Sequence, residues 1–261
     1  MVELFRDTYR YRELILMLTQ KELKVRYKRS VLGFLWALLH PLLMTGVYVM
    51  VFTLFIRAGR FGIEHYVIFL LCAMFPFTFF QQSLLYSVQC LINNGPLLQK
   101  VYVPKLVFPL AAVLANLVNF LLALVPLALF VLLFRHPFHA TWLYLPVAVL
   151  AWLLFAAGCG LVVATISVFF HDVSHILEVF LRAYFFLCPV IYDLKHIDAR
   201  YHVLLLWNPM LYILDGFRLP IFYGELPTPA SIVLALSIGL LSVTVGYLFF
   251  RRYQDIFPLY V

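Results

Sequence analysis

The basic residues between positions 21 and 29 are the strongest candidates for ligand binding in this sequence. They are Lys21, Lys24, Arg26, Lys28 and Arg29, and they directly precede the first long apolar run. A planar guanidinium can hold two oxygens of one phosphate, and each basic residue beside a bilayer attracts anionic head groups by about 1 kcal/mol. We expect Arg26, Lys28 and Arg29 to meet such a head group. The alternative is that these charges only fix the orientation of the chain, and it stays open.

The remaining titratable residues do not form a recognisable catalytic or metal-binding set. His171 and His175 have i, i+4 spacing, but no Glu stands in the H-E-x-x-H position and the sequence offers no third ligand. Glu178 and Arg182 can pair on one helix face. The sequence contains no G-x-x-x-x-G-K-[ST] loop for ATP. We therefore expect no enzyme activity, no metal and no cofactor in this chain.

The composition is that of an integral membrane protein. Hydrophobic residues make up 65% of the chain, charged residues only 12%, and the mean hydropathy is +0.98. A soluble domain is about half apolar and about a quarter charged. The net charge of +7 comes from basic residues at the edges of apolar runs, so we expect no binding of nucleic acid. The four cysteines lie in or near these runs and are expected to be small packing residues.

The order of apolar and charged runs predicts an all-α membrane protein in a single domain. An amphipathic interfacial helix within 1–31 comes first, and the region 190–229 is expected to hold short re-entrant or interfacial helices. Six spans are expected between and beyond them, at 32–56, 66–91, 106–134, 142–170, 173–189 and 230–250. With the amino terminus inside, thirteen of the 19 Lys and Arg residues are cytoplasmic. Both termini are then predicted to be cytoplasmic.

Several motifs in the chain resemble one family of membrane proteins. The segment RYKRSVLGFLW, followed by His40-Pro41, is similar to the opening pattern R-Y-x-x-S-x-L-G-x-x-W of the membrane subunit of polysaccharide ABC exporters. These exporters belong to the ABC-2 type permeases. LINNGPLLQKVYVPKLVFPL resembles the family's link between spans two and three. The resemblance implies that this link docks on an ATPase subunit through Leu97, Leu98, Gln99 and Lys100.

Two later segments extend the resemblance over nearly the whole chain. FFHDVSHILEVFLRAYFFLCPVIY is similar to a family segment that usually has Arg-Asp and, later, Ser-Pro-x-x-Tyr. In this chain His171 stands in place of the Arg and Cys188 in place of the Ser. WNPMLYILDGFR resembles the family's N-P with a downstream Arg. This likeness implies that Asn208, Pro209 and Arg218 lie in an outer gate region, 190–229.

The resemblance implies a homodimer in the bacterial inner membrane, with the translocation path between its subunits. Two copies of a separate ATPase subunit would bind the ATP and Mg. The cargo would be an O-antigen, capsule or teichoic-acid chain on a lipid diphosphate carrier, whose head group would meet Arg26, Lys28 and Arg29.

Aromatic residues could line this path, because their rings offer apolar faces to sugars. Tyr48 and Phe52 share one face of the first span, and Tyr184 and Phe185 lie on the fifth. Two alternatives remain. One is an ABC-2 exporter of a small lipid or drug. The other is a membrane glycosyl- or acyltransferase, for which Asp193, Asp198 and Asp215 are the only outer candidates.

Overall fold

The computed structural model describes residues 9–26, 28, 30, 32–51, 65–100, 103–193, 200 and 205–260. In this part of the chain the regular structure is helical and contains no strand. The helices are α1 (Arg12–Arg26), α2 (Trp36–Met50), α3 (Tyr66–Cys90), α4 (Gly95–Lys100), α5 (Val107–Leu133), α6 (Leu145–Phe169), α7 (Val173–Leu187), α8 (Pro209–Arg218) and α9 (Pro229–Tyr253). Short 3-10 segments Gly33–Leu35, Ile92–Asn94, Ala140–Tyr144 and Gln254–Leu259 join or extend them, and a π turn covers Leu219–Tyr223.

Four helical segments are long and apolar enough to cross a membrane. They are Tyr66–Cys90, Val107–Leu133, Ala140–Phe169 and Pro229–Leu259, which agree with the predicted spans at 66–91, 106–134, 142–170 and 230–250. The helices α2 and α7 have 15 residues each. At 1.5 Å per residue, such a helix is about 22 Å long, less than the roughly 30 Å hydrocarbon layer. The count of six spans therefore stays a prediction, and positions 52–56 of the first predicted span lie outside the described residues.

The helix α3 lies at the centre of the bundle and is buried along most of its length. Pro76 stands in its middle, as the sequence indicates. The indole N–H of Trp152 on α6 donates to the Pro76 carbonyl at 2.9 Å, inside the bundle. This bond fixes α6 against α3 at the level of the proline.

A second apolar cluster lies at the end of the bundle that holds α1 and α4, and we call it the α1–α4 cluster. Ile15 and Leu18 of α1 and Leu98 of α4 belong to it, together with residues from the ends of the long helices. Phe257 of the last 3-10 segment is completely buried there. The helix α1, which lies where the sequence predicts an amphipathic helix, therefore buries Ile15 and Leu18 in this cluster and packs chiefly against α5.

Candidate functional site

A cavity of about 710 Å³ lies between α2, α3, α5 and α7, and the end of α1 reaches it. Its walls are apolar where Met44, Met74, Phe75 and Phe120 face it. Basic groups of Arg26, His40 and Arg182 also reach it. Neutral polar side chains of α3 and α5 line it as well, and these are Thr78, Gln81, Gln82, Asn116 and Asn119. A cavity with apolar walls and a few polar groups is typical of ligand sites in proteins.

Arg26 is the last residue of α1 and lines this cavity. Its Nη1 donates to the Asn116 Oδ1 at 3.0 Å, and its guanidinium carbon lies 3.9 Å from the centre of the Tyr86 ring. Its Nε and Nη2 atoms are buried and have no hydrogen-bond partner among the described residues. A buried N–H without an acceptor costs roughly 1–3 kcal/mol. Arg26 is thus held in place by Asn116 and Tyr86, while its Nε and Nη2 can still donate hydrogen bonds to an anionic oxygen.

The structure brings some of the predicted site residues together and separates others. Tyr48 and Phe185 line the same cavity as Arg26. Lys28 is exposed and does not line it. Tyr184 points elsewhere, since its hydroxyl donates to the Asn208 Oδ1 at 2.7 Å. The predicted residues Arg29 and Phe52 lie outside the described residues.

Sequence reasoning missed the neutral polar lining of the cavity. Asn116 and Asn119 stand inside an otherwise apolar predicted span, and Gln81-Gln82 stand in another. Such residues are costly in a membrane-buried helix unless they have partners, and so they could have signalled a polar interior. Their convergence on Arg26 needed the packing of α1 against α5.

The predicted coupling residues on α4 differ in exposure. Leu97 is 37% exposed and Lys100 is also exposed. Leu98 is only 8% exposed, because it packs in the α1–α4 cluster. Gln99 belongs to α4, but its side chain lies outside what the structure describes. A partner that docks on α4 can therefore reach Leu97 and Lys100, whereas Leu98 contacts this chain itself.

The residues expected in the outer gate hold the segment that follows α7. Asn208 caps α8, since its Oδ1 accepts from the Met210 N–H at 3.0 Å, and Pro209 is the first residue of that helix. The Arg218 Nη2 donates to the carbonyls of Pro189 and Val190. Arg218 is 3% exposed, so this guanidinium works as an internal clamp.

The pairs of titratable residues that the sequence singles out on and just before α7 form no catalytic or metal-binding arrangement among the described residues, although Arg182 lines the cavity. Glu178 and Arg182 do form an ion pair at i, i+4. Both side chains are well exposed, so the pair is worth only about 0.3–0.5 kcal/mol. Within the described residues, His171 and His175 join no group of three or more side chains that could hold a metal.

Four long apolar helices and an internal cavity define a multi-pass membrane protein. Residues 13–222 match the family described as ABC-2 type transporter, and the chain belongs to that family.

The relatives of this chain are polysaccharide export proteins. It is 35% identical over 247 residues to the O-antigen export system permease protein RfbA of Myxococcus xanthus, covering 92% of this chain and 93% of that protein. It is 26% identical over 241 residues to the protein of the same name from Klebsiella pneumoniae, covering 92% of each. The polysialic acid transport protein KpsM of Escherichia coli is 23% identical over 243 residues, covering 90% of this chain and 91% of that protein.

Proposed function

We propose that this chain is the transmembrane permease subunit of an ATP-driven exporter that moves a lipid-linked polysaccharide across the bacterial inner membrane. The observation that carries this proposal is the similarity to O-antigen export permeases over more than nine-tenths of both chains. Relatives named for polysialic acid transport and for capsule polysaccharide export align with 90% and 83% of the chain. The substrate is thus a surface polysaccharide of the O-antigen or capsule type.

The proposed assembly is a homodimer with two copies of a separate ATPase subunit, which binds ATP and Mg. The chain has no nucleotide-binding loop of its own. Two features support the dimer: α2 and α7 flank the cavity, and both expose large apolar side chains. We further propose that α2 and α7 belong to two additional spans, that both termini are cytoplasmic, and that α4 lies on the cytoplasmic side.

The export activity is tested by deleting the gene in the source bacterium. We expect polysaccharide to disappear from the cell surface while its lipid-linked form accumulates inside, with both restored by the wild-type chain. The purified chain in liposomes should show only background ATPase activity, and co-reconstitution with the partner ATPase should raise it. Normal surface polysaccharide in the deletion strain would refute the proposal.

We propose that the carrier's diphosphate meets Arg26 inside the cavity. Two buried nitrogens of Arg26 lack a protein acceptor, and the apolar walls suit a lipid chain. The variant Arg26→Gln is expected to lower export strongly at unchanged insertion and ATPase binding. Lys28→Gln is the matched control, because it removes the same charge two residues away from an exposed position outside the cavity. Equal export by the two variants would contradict a role of Arg26 in binding the carrier and would mean that both residues only fix the orientation of the chain in the membrane.

We propose that the exposed side of α4 contacts the ATPase. The variants Leu97→Asp and Lys100→Glu should reduce ATPase association, since both side chains are accessible. Leu98→Asp should instead destabilise the chain itself, because it places a carboxylate in the α1–α4 cluster. Co-purification and thermal unfolding separate these two results. Full ATPase binding by the Leu97→Asp, Lys100→Glu double variant would contradict the docking assignment.

A further inference from the structure

The ion pair of Glu178 and Arg182 lies deeper in the bundle than charged residues usually do. The helix α7 packs against α3, and the ring of Phe185 lies 5.2 Å from the ring of Phe77, edge to face. Phe77 follows Pro76 in the middle of α3, which is long and apolar enough to cross a membrane. Arg182 precedes Phe185 by three residues, which is about 4.5 Å along the helix. The pair therefore lies inside the roughly 30 Å hydrocarbon layer.

Charged side chains at this depth do not face lipid, because the cost is too high. They face the interior of a bundle or a water-filled cavity. The side chains of Arg182 and Glu178 are 70% and 46% exposed, so the bundle interior does not enclose them. Arg182 lines the same cavity as Arg26, whereas Glu178 does not belong to its lining. The exposed pair thus borders a hydrated space that is continuous with the cavity.

The charges of this cavity favour an anion. Arg26, His40 and Arg182 are its basic side chains, and none of the described residues in its lining is Asp or Glu. The carboxylate that pairs with Arg182 belongs to Glu178 and stands outside that lining. An anion inside the cavity therefore has Glu178 as its competitor for Arg182.

Arg26 and Arg182 reach the cavity at different depths. The Arg26 guanidinium lies over the ring of Tyr86, which is nine residues from Phe77 on α3, or about 13.5 Å along the axis. The helices α3 and α7 are antiparallel, because Tyr66 at the beginning of α3 donates to a carbonyl just after α7. Arg182 therefore lies between the levels of Tyr86 and Phe77. An anion that leaves Arg26 towards the middle of the membrane meets Arg182 next.

We propose that Arg182 is a second binding residue for the carrier's diphosphate, and that Glu178 competes with the diphosphate for it. The inference rests on the proposed function, because it takes the cavity as the carrier's path and α7 as part of a span. An exposed i, i+4 pair is weak, so a phosphate that accepts two hydrogen bonds from the guanidinium displaces the carboxylate. Glu178 then repels the phosphate and pairs with Arg182 again as the carrier moves on. A path needs such exchange, since a substrate that is bound too firmly does not leave.

The binding test uses the complete nucleotide-free transporter, with its ATPase, in phosphatidylcholine nanodiscs titrated with polyprenyl diphosphate. In Arg182→Gln we expect about tenfold weaker binding, the effect of losing hydrogen bonds to a charged group. In Glu178→Gln we expect about twofold tighter binding, because a weak competing pair is removed. Arg182→Lys should bind more tightly than Arg182→Gln, because it keeps the charge. An ion pair that only stabilises α7 predicts the same change in both glutamine variants, and that result would overturn the proposal.

The double variant Glu178→Arg, Arg182→Glu is the matched control for a purely structural pair. It keeps an i, i+4 ion pair on α7 but moves the cation about 6 Å along the helix, away from the position that lines the cavity. We expect normal thermal unfolding and normal ATPase assembly, together with the weak binding of Arg182→Gln. Wild-type affinity for polyprenyl diphosphate in this variant would contradict the role of Arg182.

Two further titrations identify the phosphate and separate this inference from the proposed function. Phosphatidylglycerol added to the nanodiscs should not displace the diphosphate, and full displacement would assign Arg182 to ordinary lipid head groups instead. Weaker binding in Arg26→Gln with unchanged binding in Arg182→Gln would overturn the second binding residue alone. A wild-type transporter that binds no polyprenyl diphosphate would refute the carrier site of the proposed function itself.

Discussion

The helices α6 and α9 are packed closely together, whereas α2 and α7 are packed loosely. The helices α6 and α9 meet backbone to backbone, since a Cβ on Gly246 would lie 2.3 Å from the Gly158 carbonyl oxygen. By contrast, a Cβ on Gly46 of α2 would meet nothing within 4 Å. Val179 of α7 is 70% exposed. The difference indicates that α6 and α9 form a fixed scaffold, while α2 and α7 leave exposed faces, which the proposed dimer would need.

The largest expected effect comes from adding one methyl group to the scaffold. Gly246→Ala forces a backbone shift between α6 and α9, because its Cβ would overlap the Gly158 carbonyl. We expect a loss of about 3 kcal/mol or more in stability, measured as thermal unfolding in detergent. Gly46→Ala is the control on α2 and should be tolerated. Similar stability of the two variants would mean that the contrast between the helix pairs is wrong.

A smaller effect is expected where α8 holds the end of α7. Arg218→Met leaves the carbonyls of Pro189 and Val190 without their donor. We expect a loss of about 2 kcal/mol, the scale for leaving buried acceptors without a donor. The control Arg182→Met breaks only the exposed pair with Glu178 and should cost about 0.5 kcal/mol. Proteolysis of the segment after α7 would show the loosening locally, and equal losses in both variants would contradict the clamp.

The smallest effect concerns pH at the turn between α5 and α6. Burial lowers the pKa of His136 below its usual value, and the nearby His65 and His139 lower the pKa further. The hydrogen bond that the His136 ring donates to the Phe222 carbonyl raises the pKa, but by less. The unfolded chain then binds the proton more readily, so this contribution to stability is present above pH of about 6.5 and is lost as the pH falls below it.

His136→Gln should reduce the drop in melting temperature between pH of about 7.5 and about 5.5, because glutamine can donate to the same carbonyl without titrating. His175→Gln, at an exposed position on α7, is the control. An unchanged drop in His136→Gln would exclude this histidine as the source of the acid sensitivity.

The sequence predicted the parts of this protein that depend on local composition. Long apolar runs require helices in a bilayer, because every backbone polar group must be bonded within the segment. Four of the predicted spans are confirmed on this basis, and the motif at Arg26–Trp36 predicted the family. The spans predicted at 32–56 and 173–189 stay predictions, since the helices α2 and α7 that the structure describes there have only 15 residues each.

The individual roles of the site residues depended on packing between distant segments. Leu97 and Leu98 are adjacent and identical in type, but only Leu98 is buried in the α1–α4 cluster. Tyr184 and Phe185 were predicted together, yet Phe185 lines the cavity and Tyr184 bonds to Asn208. Neighbouring helical residues point about 100° apart, so the direction of the helix face decides the role of each.

The sequence by itself determined that this chain is an apolar helical membrane protein of the ABC-2 type, because composition and motifs are properties of the chain alone. Only the tertiary structure decided that Arg26 lies in a cavity with Asn116 and Tyr86, 90 and 60 residues away in the sequence. The tertiary structure also joined Lys21 to Asn94. The physical reason is that contacts between distant segments depend on how helix faces fit together, which apolar periodicity does not specify.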